Sequence, residues 1–252
     1  MADSSKRSGT ARAALAGTGR SRRKSGATIE QSRSSKQAPF LQNDVTLTDR
    51  AYSQLEELIV TLQLPPGTAL SELVLANRLG IGRTPIREAL QRLSRYGLVN
   101  ILARRGVLVS EIDLRAQLRL LEVRRELERL MARGAAERAT PEQRARFSEI
   151  ASGMRQAASK SDDLLFKRLD QKFNTLVAAA SRNEFASRAM GLMHGLSRRF
   201  WYQHYKEAAD LPLAARLHAE VAEAIVEHRV DAAGEASDKL IDYIESFARS
   251  TL

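Results

Sequence analysis

The chain has no cysteine, so disulfides, thiolate metal sites and cysteine nucleophiles are excluded at the outset, in keeping with a reducing compartment. No apolar run approaches the ~20 residues that span a bilayer, and the N-terminus lacks an apolar core of signal-peptide length. A soluble, cytoplasmic protein is expected. The sequence offers no carboxylate pair, no nucleophile beside a base and no complete set of metal ligands, which argues against an enzyme. Acids are scarce in two places: residues 1–40 hold two against nine lysines and arginines, and between Arg83 and Arg105 Glu88 is the only one.

What is present divides unevenly. The 252 residues are 43% hydrophobic, enough for one large domain or two small ones. Of the net charge of +10, +7 falls in residues 1–40. Residues 1–43 are rich in Ser, Ala, Gly and Arg, show no helical or strand period and cannot bury enough apolar surface to offset the entropy of ordering. They read as a disordered basic tail: a phosphate-attracting arm, a segment of transit-peptide composition, or a solvated extension.

From Val45 the pattern becomes that of a folded domain, residues 44–113. Ala51, Leu55, Leu58, Ile59 and Leu62 recur at helical spacing until Leu64-Pro65-Pro66-Gly67 breaks the run. Ser71 is placed to cap a second helix that stops at Gly80, and Thr84 to cap a third, with Pro85 at its first position and Ile86, Leu90 and Leu93 as its buried stripe. Two short helices across a tight turn, the second with a cationic tip, suit a DNA major groove. Arginine can donate two hydrogen bonds to guanine, and helix N-termini bind phosphate. Arg83 and Arg87 therefore face bases, Thr84 caps and reaches a phosphate, and Arg92 and Arg95 meet backbone or solvent. For each single arginine the alternative is a solvated face or an ion pair with Glu72 or Glu88.

After Gly97, the runs Leu98-Val99 with Ile101 and Val107-Leu108-Val109 flank Arg104-Arg105-Gly106, a hairpin whose tip can enter or straddle a minor groove. Residues 44–113 balance eight basic against eight acidic groups, yet six arginines fall within the 25 residues from Gly82 to Gly106. Charge is segregated onto one stretch. The run from Leu64-Pro65-Pro66-Gly67 through Leu79-Gly80-Ile81-Gly82-Arg83-Thr84-Pro85-Ile86-Arg87-Glu88-Ala89-Leu90 to Gly97-Leu98-Val99 and Gly106 resembles the winged-helix domain of the GntR family of bacterial transcription regulators. The resemblance implies operator contacts at Arg83, Thr84 and Arg87 and close approach of Gly106 to the minor groove. Gly82 stands where the family usually has serine or threonine.

Residues 114–252 are helical in pattern throughout. In the first helix, Leu114 to about Glu137, Arg124 lies on the apolar stripe with Leu120, Leu121, Leu127 and Met131, whereas Arg125 faces a solvated setting. A buried arginine must be paired: either Glu128 four residues on satisfies it, or an anionic ligand does. Asp170 and Asn174 fall within the stripe of Phe166, Leu169, Phe173 and Val177, and His218 shares a face with Val221, Ala222 and Ile225. Each alone is an ordinary satisfied core residue; together they favour a polar pocket inside a helical bundle.

The segments Glu122-Val123-Arg124 with Glu128 and Ala135-Ala136, Asp170 with Phe173 and Asn183, and His218 with Ala224-Ile225 resemble the FCD effector domain of the FadR-like branch, and the short length resembles its VanR-type subgroup. In metal-containing members an Asp, a His four residues later and two further His hold a divalent cation that binds a carboxylate effector, and Arg124 matches an effector-contacting arginine. Here the second position is Asn174, and the last helix has no histidine, Tyr243 or Asp242 being nearest. Either Asp170, Asn174 and His218 hold zinc or nickel, or Arg124, Asn174, His218 and Tyr243 hold an organic acid directly.

The expected fold is mainly α: an N-terminal winged helix-turn-helix with a β-hairpin wing, then an all-α antiparallel bundle. The expected function is a homodimeric bacterial transcription regulator on a palindromic operator, cytoplasmic and nucleoid-associated when bound, with repression relieved by a carboxylated metabolite. The alternatives are a metal-dependent enzyme with an accessory DNA-binding domain and a non-specific architectural DNA binder.

Overall fold

The computed structural model describes residues 45–104 and 106–251; the tail reading and Arg105 lie outside them. The first helix, α1 (Leu47–Val60), starts at Thr46, whose hydroxyl accepts from the Asp49 N–H while the Asp49 carboxylate accepts from the Thr46 N–H, two otherwise orphaned donors satisfied reciprocally. It stops short of the proline pair because Leu62 takes a left-handed turn at φ 61°. A two-residue strand, β1 (Ala69–Leu70), precedes α2 (Glu72–Leu79), which Ser71 caps and Gly80 ends in the left-handed conformation.

Helix α3 spans Arg83–Arg95. Thr84 is not its N-cap as expected. The Ile86 N–H bonds to the Gly82 carbonyl, so the first turn closes one residue pair earlier and Gly82 holds the cap position without a side-chain bond. Pro85 is tolerated at the third helical position because N–H groups there have no intrahelical acceptor in any case. The stripe of Ile86, Ala89, Leu90 and Leu93 packs on Ala51, Leu55 and Ile59 of α1, all at most 2% exposed.

The hairpin is β2 (Val99–Leu102) and β3 (Gly106–Val109), pairing Val99 with Val109 and Leu102 with Gly106. The sequence reading missed β1, which pairs with β3 and completes a sheet of order β1-β3-β2; two residues are too few to show a period. At the tip Arg104 (φ 62°) and Gly106 (φ 86°) both adopt the left-handed region, where glycine carries no steric cost and arginine does.

The remaining residues form α4 (Leu114–Arg138), α5 (Pro141–Lys160), α6 (Asp163–Ser181), α7 (Glu184–Ala208), α8 (Leu211–Val226) and α9 (Val230–Arg249). Side chains of Asp113, Thr140, Asp162, Asn183 and Asp210 cap the first five. Helix α8 is central: Ala214, Ala215, Ala219, Ala222 and Ala224 are at most 2% exposed, and these small side chains let it sit against both α5 and α9. The α4–α9 pair is stitched by a ladder running antiparallel, Arg125–Asp242 at 2.7 Å, Arg129–Asp238 at 2.8 Å and Arg133–Asp231 at 2.5 Å. Arg125 is thus not in the solvated setting expected for it; its partners come from a helix more than a hundred residues away.

Candidate functional site

Two places concentrate functional chemistry. The first is the tip of α3. The Arg83 and Arg87 side chains are 62% and 58% exposed, and both rest on Glu72 at the start of α2. Arg87 donates from Nε and Nη2 to the two carboxylate oxygens at 2.8 Å each, while Arg83 stands at 3.6 Å. The hydrogen bonds from Arg87 hold the Glu72 carboxyl below its ordinary pKa, so this clamp persists through the neutral range. Thr84 is exposed beside them. Glu72 therefore holds both arginines together at the helix tip.

Arg92 is not a backbone or solvent group. It donates to Asp49 at 3.1 Å and stacks over the Tyr52 ring at 4.0 Å, fastening α3 to α1. Glu88 serves the same joint by accepting from the Thr48 hydroxyl at 2.6 Å.

The second place is a cavity of about 440 Å³ in the helical part, lined by Arg124, Asp170, Asn174, His218 and Tyr243 together. All five cavity residues expected from sequence converge on it. Their pairing is internal. Arg124 Nε donates to Glu128 Oε1 at 2.8 Å, the first of the two alternatives left open for that residue. His218, 7% exposed, lies edge-on between Phe166 and Phe173; its Nε2 is 3.1 Å from Asp170 Oδ1, and its Nδ1 is 2.8 Å from the Ala214 carbonyl. Burial is the largest single influence on His218 and opposes its charge, but the hydrogen bond and charge of Asp170, with the Ala214 carbonyl and Glu128, together outweigh it and raise the pKa. Burial is likewise the largest influence on Asp170, and His218 with the nearby His194 and Arg124 together outweigh it and lower the pKa. The two directions agree on an ionised pair. Asn174 donates its amide N–H to the same Oδ1 at 3.0 Å. Tyr243 contributes its ring, whereas its hydroxyl is committed to the Asp210 carbonyl at 2.9 Å.

Zinc or nickel needs three or four nitrogen, sulfur or carboxylate donors converging at about 2 Å. Among the described residues no group of three or more histidines and carboxylates is arranged to hold a metal. Asp170 already accepts two hydrogen bonds, Asn174 turns its N–H groups toward it, and Tyr243 is spent elsewhere. This donor set does not fit the zinc or nickel alternative.

The sequence reading missed part of the wall. Gln117, His194, Ser197 and Trp201 line the cavity, as do Glu57, Val60 and Thr61 of α1. Burial lowers the His194 pKa, and the buried Ser197 Oγ has no hydrogen-bond partner among the described residues. In the sequence His194, Ser197 and Trp201 stand at i, i+3 and i+7, a one-face spacing that was there to be read. A second cavity of about 320 Å³ shares Glu128, Asn174 and His194 and reaches Tyr52, Arg92 and Tyr96 of the N-terminal lobe.

Helix α7 carries the connection between the lobes. Leu196 packs into the N-terminal core, and a Cβ at Gly195 would sit 2.9 Å from Leu98. Arg198 pairs with Glu57 at 3.0 Å. Arg199, 2% exposed, donates to the Ser110 carbonyl at 2.9 Å and to the Ser110 hydroxyl and Glu111 carbonyl at 3.1 Å. Burial pulls its pKa down to about 10, a cost of about 3 kcal/mol for keeping it charged there. Arg199→Met relieves that cost and strands two carbonyls at roughly 1 to 3 kcal/mol each, so the denaturation midpoint should move little. The expected result is local: hydrogen exchange of the segment 110–113 at least about tenfold faster. Unchanged exchange there would show that Arg199 is not the clasp.

Comparison with known proteins places this geometry. Residues 47–109 match the family described as bacterial regulatory proteins, gntR family, and residues 119–243 match the FCD domain. The HTH-type transcriptional repressor RspR of Escherichia coli is 26% identical over 204 residues, covering 81% of this chain and 89% of that protein. An uncharacterized HTH-type transcriptional regulator in an unstable DNA locus of Streptomyces ambofaciens is 45% identical over 62 residues, a quarter of each chain. The solved structure of E. coli McbR/YncC superposes with a TM-score of 0.71 at 20% identity, over 82% of this chain and 99% of that one, which speaks for the fold. The first two are likenesses in sequence, not equivalence of role.

Proposed function

This chain belongs to the GntR family of bacterial regulatory proteins, with an FCD domain behind its winged helix; it is a DNA-binding transcription regulator, and we propose that it grips a two-fold symmetric operator as a homodimer. Residues 44–113 read the DNA and residues 114–252 sense a small molecule. The observation that carries this reading is the pair of exposed arginines held ready on Glu72 at the α3 tip. Arg83 and Arg87 read base edges, Thr84 meets a phosphate, and Arg104, Arg105 and Gly106 bring the wing to the minor groove. The basic segment 1–43 adds sequence-independent attraction to phosphates.

The effector occupies the 440 Å³ cavity and is held by side chains directly. Asn174, His218 and the free Ser197 hydroxyl orient it, and a carboxylated effector takes Arg124 from Glu128. Because α1 supplies Glu57, Val60 and Thr61 to the same wall, a ligand that prefers one placement of α1 shifts the DNA-reading lobe by its differential affinity. Repression relieved by ligand is the default that the family resemblance implies.

The test is selection from a random-sequence duplex pool with the full chain. An enriched inverted repeat is expected. Enrichment of a single half-site rejects the dimer reading, and no enrichment at all favours the architectural alternative.

A further inference from the structure

Helix α4 presents one face to the cavities through Arg124, Glu128 and Met131 and another to α9 through Arg125, Arg129 and Arg133. Its third face carries Ala116, Leu120, Val123, Leu127 and Leu130, spaced alternately four and three residues apart, the a/d rhythm of paired helices. Val123 is 52% and Leu130 47% exposed, Ala116 is exposed, and Leu120 and Leu127 are half-buried. A leucine-valine seam of roughly 21 Å along a helix is not a surface that a solitary helix needs.

We propose that this stripe is the dimer surface, on which α4 of a second copy of the chain packs antiparallel. The proposal rests on the dimer reading above and adds the surface and its direction. Charge decides the direction. With Leu120 and Leu127 at a and Val123 at d, Arg119 and Glu126 hold the same flanking g position in successive heptads. Antiparallel helices bring g beside g, so Arg119 meets the partner's Glu126 twice across the axis. The layers between are Leu120 on the partner's Val123 and Ala116 on the partner's Leu127. Parallel helices instead set Arg119 beside the partner's Arg124, which is 12% exposed and already paired with Glu128, and Glu126 beside the partner's Met131, so neither gains an opposite charge. Glu126 is free to re-pair: its contact in the free chain is Arg129 of its own helix, at 3.0 Å and 68% exposed, a rim pair worth little. The symmetry is isologous, as a closed two-fold dimer requires. Its placement suits a regulator, because α4 begins just beyond the segment 110–113 that leaves the wing, so pairing here fixes the spacing of two DNA-reading lobes.

Analytical ultracentrifugation of the full chain at low micromolar concentration tests this. The wild type should sediment as a dimer and Val123→Glu as a monomer with unchanged far-UV circular dichroism. Arg119→Glu should weaken the dimer about tenfold by placing like charges together, and Arg119→Glu with Glu126→Arg should restore it; this swap decides the matter if Val123→Glu does not fold. A wild-type monomer overturns the dimer reading and the surface with it. A wild-type dimer that survives Val123→Glu, or a charge swap that fails to restore, overturns the α4 surface alone.

Discussion

Replacing Asp170 by alanine is expected to cost about 3 to 5 kcal/mol of stability near pH 6, because it strands the imidazolium of His218 between two phenylalanine rings. For a chain of this size that lowers the midpoint of thermal unfolding by roughly 10 °C. His218 is 7% exposed, and Asp170 is its only carboxylate partner among the described residues. The sign of the pH dependence follows from the directions of the two shifts. The Asp170 contribution is present above its unfolded pKa and is lost as pH falls through the lowered folded value. The His218 contribution is present below its unfolded pKa and is lost as pH rises through the raised folded value. The pair therefore stabilises most in the window between them. Urea unfolding of wild type and Asp170→Ala in steps from pH 6 to pH 9 should show the penalty shrinking as pH rises through the raised folded value of His218. A penalty that does not shrink with rising pH would count against an ionised pair. Asp170→Asn, which keeps an acceptor for His218 Nε2, should fall between wild type and alanine.

Arg87→Ala is expected to weaken binding to a selected operator by roughly 1 to 3 kcal/mol, and to flatten the preference at one base position in each half-site. The side chain is 58% exposed, so its removal should leave the unfolding midpoint in place. Competition with Glu72 makes a second, opposite expectation. Glu72→Gln removes the carboxylate that holds both arginines, and DNA affinity should rise for all sequences while the preference among them narrows. Arg95→Ala, an exposed charge further along α3, should reduce the salt dependence by about one unit of slope without changing base preference. Anisotropy titrations with the selected duplex at several salt concentrations separate the three. If Arg87→Ala and Arg95→Ala behave alike, the α3 tip is a phosphate contact and not a reader of bases.

The segments most legible in the sequence were those whose signals are local. Ser71 and Gly80 bound α2 as their residue types demand, and the stripe of Ile86, Leu90 and Leu93 appears in α3 where its spacing puts it. Gly82 and Thr84 show the limit of such reasoning. A threonine before a proline satisfies the rules for a cap, yet one backbone bond from Ile86 to Gly82 decides the register. The cavity residues Arg124, Asp170, Asn174 and His218 were legible because each is a polar group on an apolar stripe, and that conflict can be seen one helix at a time. His194 and Ser197 escaped because α7 has no single apolar stripe against which they stand out; it faces the cavity, the bundle and the N-terminal lobe by turns.

The sequence by itself determined the helices, the hairpin, the segregated charge at residues 82–106 and the family these belong to, because periodicity, caps and turn residues act over a few positions. Only the tertiary structure decided which charges remain available. Arg87 and Arg83 share Glu72, Arg125 belongs to α9, Glu128 claims Arg124, and Asp170 pairs with His218, so what looked like open ligand sites are largely closed ion pairs. The reason is physical: a charge held at or below the surface takes whatever acid or carbonyl the fold brings within reach, and for most of these groups that partner comes from a different helix.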